Sequence, residues 1–433
     1  MGFLKSQEEM VDCSYYLFPA DNWHNAIFSR RIGRGSVYLH IILISDVTMP
    51  NTEKLSAQKK ILNFLINILL LIISLGVAVV IVEITLPLLK IRNIEEAVYQ
   101  VRRPNVQGIY GAYHPQLGYT LQKNLRNVRL FYPKQLDYTL DTNAYGFRGP
   151  NWNLSANRKN IVILGDSFAF GWGVQWEQTV GGIIEKQLQK KDPAYQVINL
   201  AMPGWDMDTI IRSFELYKNI LKPVAVIYVF CPNDLLCGIK KISATEYDIE
   251  YHPRPDDEKK FQAMVARQQS DYWSWDKFFR RSYVKAYHAR VLRRLFDKRI
   301  SSSLSTDKAP AGFDFSPPID APGKSALDEE HKQFGLYCLN RLRQDADGAH
   351  FYIIDTSDKS ILYLKDKPDN RRWVLREFSE NNKKSVSFID FESFVRKTPD
   401  GRKFYLDYDD HWSVAGHVAA SDLLLKEITI NRF

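Results

Sequence analysis

Apolar and polar positions along the chain change their pattern more than once, and each change predicts a different kind of element. From Ile61 to Val82 the sequence reads ILNFLINILLLIISLGVAVVIV, uncharged and interrupted only by Asn63, Asn67 and Ser74. At about 1.5 Å per residue this run crosses a hydrocarbon core of roughly 30 Å, which predicts one transmembrane helix over 61–82. Beyond residue 155 short apolar runs alternate with segments of helical period. Strands are predicted at Ile161–Leu164, Gln196–Asn199, Val224–Phe230, His350–Asp355 and Val386–Asp390. Helices are predicted at Thr179–Gln189, Met207–Leu221, Ala326–Ala346, Asp369–Asn381 and Ser413–Ile428. That alternation predicts an α/β domain over 155–430, a three-layer α/β/α sandwich around a parallel sheet.

Two stretches depart from this rhythm. Residues 91–150 are rich in Tyr, Asn and Pro, and Tyr138 alternates with Leu140 before a Thr-Asn-Ala-Tyr-Gly turn, so a small membrane-proximal β element is expected. His114 precedes Pro115 in a loop and reads as structural. Residues 238–324 contribute no obvious strand. There Phe279, Tyr283, Tyr287, Val291 and Leu295 recur every four residues among Arg280, Arg281, Arg290, Arg293, Arg294, Lys298 and Arg299, which predicts a helix with a basic face. That face is either solvated or rests on an anionic membrane surface or acidic polymer. Residues 301–316 read as a linker.

Residues 1–48 have no clean period, and Met49 opens a short polar segment before the span, so Met49 is expected as the initiator and 1–48 as an upstream extension. Lys54, Lys59 and Lys60 precede the span and Lys90 and Arg92 follow it. This asymmetry favours residues 1–60 in the cytoplasm and the large domain outside it, in a periplasmic or extracellular position. The apolar run is longer than that of a cleaved signal peptide and lacks a small-residue cleavage site.

Composition changes little in this picture. With 45% hydrophobic residues the chain can bury a sizeable core, and a formal net charge of +8, mostly spread along its length, is no nucleic-acid footprint. The four cysteines, Cys13, Cys231, Cys237 and Cys338, have no metal-ligand spacing. Cys231 and Cys237 are placed either for a bridge in an oxidising compartment or as two buried free thiols.

Candidate chemistry starts where Ile161-Val-Ile-Leu ends abruptly at Gly165-Asp166-Ser167. The three residues are common in turns, but Ser167 also falls at the carboxyl end of a strand, where open α/β sheets place their ligands. Three further stretches end strands or begin helices: Asn199-Leu-Ala-Met-Pro-Gly-Trp205, Tyr228-Val-Phe-Cys-Pro-Asn-Asp234 and Asp407-Tyr-Asp-Asp-His-Trp-Ser413. In a parallel sheet all four converge on one edge. Two other chemistries fail on spacing. Gly-x-Ser-x-Ala around Ser167 is not the Gly-x-Ser-x-Gly elbow, and Gly171-Trp-Gly173 lacks the remainder of a dinucleotide site. His411 and His417, six positions apart, make no metal pair, and His417 reads as a packing residue.

Taken together, these stretches resemble the SGNH (GDSL-type) hydrolase family, with Ser167 in GDSF, Gly204 in AMPGW, Asn233 in CPND and His411 in DDHWS. The resemblance spans residues 160–425 and implies a three-layer α/β/α domain that hydrolyses or transfers acyl esters without a metal or cofactor. Ser167 would be the nucleophile and His411 its base, with the backbone N–H groups of Ser167 and Gly204 and the Asn233 amide as the oxyanion hole. The family pattern puts the supporting Asp three residues before the His, where Tyr408 stands. Asp407, Asp409 and Asp410 are the alternatives, and Asp409 is chosen because some anchored, polysaccharide-modifying members resemble this with Asp-x-His-Trp. Asp166 reads as structural or oxyanion-supporting.

The resemblance further implies a bacterial, membrane-anchored esterase or acyltransferase acting on O-acyl, chiefly O-acetyl, esters of envelope or secreted polysaccharide, with possible polysaccharide-synthesis partners. A lysophospholipase or thioesterase at the bilayer and a non-catalytic glycan-binding scaffold are the alternatives. Trp172, Trp205, Trp273 and Trp275 would stack on sugar rings or belong to the core.

Overall fold

The computed structural model describes residues 51–88, 96, 99, 103–132, 135–236, 241–243, 246–273, 329–356, 359 and 371–430. The expected upstream extension, the basic helix over 279–299, the linker, Cys13, Cys237 and Trp275 lie outside the described residues. Two compact units divide the chain between Val79 and Val80.

Helix α1 runs from Asn51 to Leu88. Its segment Gln58–Thr85 is long and apolar enough to cross a membrane, and its Ile, Leu and Val side chains are exposed. It is the one such helix among the described residues. The helix outruns the uncharged stretch at both ends because Lys54 to Lys60 and Glu83 to Leu88 contain no breaker before Pro87.

The next helix in chain order is α2 (Val106–Tyr110), whose cap Asn105 accepts the N–H of Gly108 at 3.0 Å. Two antiparallel hairpins follow. The first pairs β1 (Gly111–His114) with β2 (Gly118–Leu121), and its turn is held by His114 Nδ1, which accepts the N–H groups of Gln116 and Leu117 at 3.2 and 3.3 Å. The second pairs β3 (Val128–Tyr132) with β4 (Leu136–Leu140), Leu130 opposite Tyr138. Leu136, Tyr138 and Leu140 are buried in alternation, the expected sign of a one-sided sheet.

The large domain then runs in chain order through β5 (Lys159–Gly165), α3 (Ser167–Phe170), α4 (Val180–Gln189), β6 (Tyr195–Asn199), α5 (Met207–Leu221) and β7 (Ala225–Phe230). It continues with α6 (Asp257–Trp273), α7 (Glu329–Asp345), β8 (His350–Asp355), α8 (Arg371–Asn381), β9 (Val386–Ile389), α9 (Phe391–Lys397) and α10 (Val414–Ile430). The five strands form one parallel sheet in the order β6-β5-β7-β8-β9. Helices α4 and α10 pack together on one face, and α5, α7 and α8 form a row on the other, so the domain is the expected three-layer α/β/α sandwich. Every residue of β7 is buried, as are Ile161 to Leu164 of β5, which is why these strands read as unbroken apolar runs.

All five expected strands are present, each end within two residues of its expected place. The β1–β2 hairpin and α9 have no counterpart among the expected elements. Helix α6 packs on α2 and β1 through Phe261 and Val265, and the Phe261 ring lies 6.0 Å from Tyr119.

Candidate active site

β5 ends at Gly165 with φ +146°, and a Cβ there would stand 2.7 Å from Val229 O and 2.8 Å from the Ala169 Cβ, so only glycine makes this turn. Asp166 then caps α3 by accepting the Phe168 N–H at 2.9 Å. Ser167 is the first residue of that helix and stands at the carboxyl end of β5.

Across the edge, the loop between Tyr405 and Trp412 carries His411. It closes through a Tyr405–Trp412 bridge and the bond from Leu406 N–H to His411 O at 2.9 Å. The fully buried Trp412 anchors the loop, its Nε1–H donating to Thr356 O at 3.1 Å beyond the end of β8. Lys359 Nζ donates to the carbonyls of Leu406 and Asp407, both at 2.7 Å. His411 Nε2 consequently lies 2.6 Å from Ser167 Oγ. His411 Nδ1 meets Asp409 Oδ1, which also accepts the His411 backbone N–H at 3.2 Å. With Asp409 ionised, Nδ1 carries the ring proton and Nε2 is left to accept from the serine hydroxyl.

Of the three candidate carboxylates Asp409 is buried, whereas Asp407 and Asp410 are exposed. Its second oxygen accepts Tyr99 Oη–H at 2.7 Å and Arg103 Nη1–H at 2.6 Å. Burial opposes ionisation of Asp409, but His411 and Arg103, with the hydrogen bonds from His411 and Tyr99, outweigh it and hold the carboxyl well below the usual carboxylate range. Phe168 and Trp172 flank the imidazole, with ring centroids 4.8 and 5.8 Å from it. Trp172 and Trp205 are both buried, so these two belong to the core.

Asn233, in the turn after β7, donates its Nδ2–H to Asp166 Oδ2 at 3.4 Å, and Ser167 Oγ lies 3.4 Å from the same oxygen. Burial raises the pKa of Asp166. Asp234 faces the interior, accepting Tyr228 Oη–H at 2.6 Å and the Cys231 N–H at 2.9 Å, and burial raises it well above the usual range. Cys231 and Cys338 are both buried and in no disulfide.

Gly204 has φ +80°, and a Cβ there would lie 3.2 Å from Tyr119 Oη and 3.3 Å from Gln107 Nε2. Its loop is tied to the nucleophile's turn by the Met202 N–H on Gly165 O at 3.3 Å, and to β2 by Tyr119 Oη–H on Pro203 O at 2.7 Å. His417 is buried edge-on to Trp412 at 5.5 Å, and burial pushes its pKa down to about 3, so it is a neutral packing residue. Among the described residues no group of His, Cys, Asp and Glu is arranged to hold a metal ion.

Asp206 caps α5 without a side-chain bond to the helix, and burial together with Asp208 and Asp166 pushes its pKa up to about 7. An unfolded Asp ionises near pH ~3.9. Between those values the folded chain holds the extra proton, so this carboxyl costs stability as pH rises from about 4 through 7. Asp206→Asn is therefore expected to raise the melting temperature by a few degrees at pH ~8 and hardly at all near pH ~4. Equal shifts at both pH values in a thermal melt would contradict this.

The structure brings the expected Ser167, His411 and Asp409 into one line, with Asn233 beside Asp166 and the Gly204 loop tied to Gly165; Tyr99, Arg103, Lys359, Gln107 and Arg148 were not among the expected residues. Of these, Arg148 alone lies near a stretch read from the sequence, two residues past the Thr-Asn-Ala-Tyr-Gly turn. It is 2% exposed, and its guanidinium donates to Phe170 O at 3.0 Å, Val174 O at 2.6 Å and Gly171 O. Burial lowers its pKa to about 10.

No family model and no curated protein matches this chain. Solved structures do resemble it in fold at low similarity. Among them are TesA (11% identity, TM-score 0.36, covering 63% of this chain and 100% of that one) and the lipase/acylhydrolase from Enterococcus faecalis (14%, 0.34, 62% and 95%). A third is the Clostridium thermocellum family 3 carbohydrate esterase (10%, 0.33, 64% and 98%).

Proposed function

We propose that this chain is a serine esterase or acyltransferase of the SGNH type, anchored by α1, with Ser167, His411 and Asp409 as its catalytic line. The observation that carries the reading is the unbroken run of hydrogen bonds from Ser167 Oγ through His411 to the buried Asp409. Ser167 Oγ attacks the acyl carbonyl as His411 Nε2 takes its proton. The oxyanion is met by the N–H groups of Ser167 and Gly204 and by the Asn233 amide. Collapse of the tetrahedral intermediate expels the alcohol, which leaves with the proton held by His411. Water or a second hydroxyl then attacks the acyl-serine with His411 again as base.

The substrate class proposed is an O-acyl, chiefly O-acetyl, ester of an envelope or secreted polysaccharide, handled outside the cytoplasm. The Asp409-x-His411-Trp412 arrangement, shared with anchored polysaccharide-modifying members, supports it. So does the placing of Lys54, Lys59 and Lys60 ahead of the apolar span.

The test uses the full chain in detergent, with release of p-nitrophenol from acetyl and long-chain acyl esters, and of acetate from an acetylated polysaccharide. Acetyl esters are expected to turn over, with Ser167→Ala inactive on all of them. A preference for long acyl chains would move the site to lipid hydrolysis. A folded wild type indistinguishable from Ser167→Ala would remove ester hydrolysis altogether.

A further inference from the structure

The Ser-His-Asp line does not end at Asp409. Tyr99 and Arg103 are four positions apart, joined by the Arg103 N–H on Tyr99 O at 2.8 Å, and both direct a donor at Asp409 Oδ2. Tyr99 is fully buried, edge-on to Tyr132 of β3 at 5.1 Å. The Arg103 guanidinium stands 5.4 Å from the Trp172 ring, the ring that flanks His411.

The division of labour between the two carboxylate oxygens is complete. Oδ1 serves the imidazole Nδ1 and the His411 N–H, while Oδ2 takes the phenol and the guanidinium. Such a carboxylate cannot rotate without breaking a charge-assisted bond. The charged or titratable side chains bonded to it are His411, Arg103 and Tyr99, and the Lys359 ammonium approaches its backbone carbonyl at 3.4 Å.

We infer that Tyr99 and Arg103, in the segment between the apolar helix α1 and the catalytic domain, are positioning residues that set the Asp409 carboxylate for His411. The site is then complete only with these two side chains in place against Asp409 of the 406–411 loop. The inference rests on the esterase reading above. It makes the stretch next to the proposed anchor part of the working site and more than a tether.

The test compares wild type with Arg103→Gln, Arg103→Lys and Tyr99→Phe in the full chain in detergent. Three readouts are taken: kcat and KM on an acetyl ester, the rate and extent of Ser167 phosphonylation by a fluorophosphonate probe, and thermal unfolding. Arg103→Gln is expected to lower kcat by about 10²-fold with KM within about twofold of wild type. Phosphonylation of Ser167 slows in parallel, because the imidazole is held less well for the serine proton. Arg103→Lys restores kcat toward wild type, and Tyr99→Phe lowers kcat by about tenfold.

A purely structural role would lower thermal stability and the fraction of sites that label while leaving kcat per labelled site at the wild-type value, and that result overturns the inference. Should Arg103→Gln fail to fold, Tyr99→Phe, which removes one hydroxyl, carries the same comparison. A labelled, active wild type whose folded variants match it overturns the inference alone. A folded wild type that neither labels nor turns over overturns the esterase reading and the inference together.

Discussion

Asp409→Asn is expected to reduce kcat for acetyl ester hydrolysis by about 10⁴-fold while leaving KM nearly unchanged. The reason lies in the unequal surroundings of the two carboxylate oxygens. The Oδ2 position faces two donors, Tyr99 Oη–H and Arg103 Nη1–H, and tolerates only an acceptor. An asparagine must therefore put its oxygen there and its NH₂ at the Oδ1 position, facing His411 Nδ1. An amide donor at Nδ1 forces the ring proton onto Nε2, and an Nε2–H cannot take the proton of Ser167. Steady-state kinetics with a melt to confirm folding is sufficient. Asp407→Asn and Asp410→Asn, at exposed positions, serve as comparisons and are expected to stay within about twofold of wild type. If either of them, and not Asp409→Asn, carries the loss, the assignment of the carboxylate is wrong.

The second large effect is on stability. Arg148→Met should cost about 3 kcal/mol or more, because the methionine fills the space and leaves the Phe170, Gly171 and Val174 carbonyls buried without their donor. The guanidinium is also sandwiched by rings, 5.1 Å from both Tyr138 and Phe170, so it joins β4 to the segment following the nucleophile. Arg148→Lys supplies a charge but puts its donors on one nitrogen, in place of the planar fork that addresses Phe170 and Gly171 from Nη1 and Val174 from Nη2, and should recover only part of the loss. Thermal denaturation orders the variants. A melt of Arg148→Met equal to wild type would show that the carbonyls find other partners and that the arginine is dispensable.

The sheet was legible because its strands are buried on both faces. Ile161 to Leu164 and Ala225 to Phe230 have no polar position to blur them, and each is bounded by turn residues. The β1–β2 hairpin was invisible because Gly111–His114 and Gly118–Leu121 are short and their turn is held by a histidine nitrogen, with no Asn-Gly or Asp-Gly pair to announce it. In the site, Ser167, Gly204, Asn233 and His411 stand in local motifs at the ends of strands or before a helix, and their spacing could be read.

Asp409 was chosen among three carboxylates on its local arrangement alone, whereas what distinguishes it physically is burial and the two donors on Oδ2. Those donors come from Tyr99 and Arg103, which have no motif and no periodicity of their own. A bond between groups so distant along the chain leaves no trace in a single sequence. The same holds for Lys359, whose ammonium is bonded to backbone carbonyls and so depends on no particular side chain across from it.

The clamp on Asp409 also bears on when activity can first appear in the life of a molecule. Tyr99 and Asp409 are 310 residues apart, and Ser167 and His411 are 244 apart. A ribosome that has completed β5, with its serine and its glycine turn, has still to make most of the domain before the imidazole exists. Closing loops of that length comes late in assembly, after the local contacts of the strands and helices. A partly made chain at a membrane would thus display the nucleophile without its base. Ester cleavage would begin as a single late event, when the 406–411 loop meets Tyr99 and Arg103.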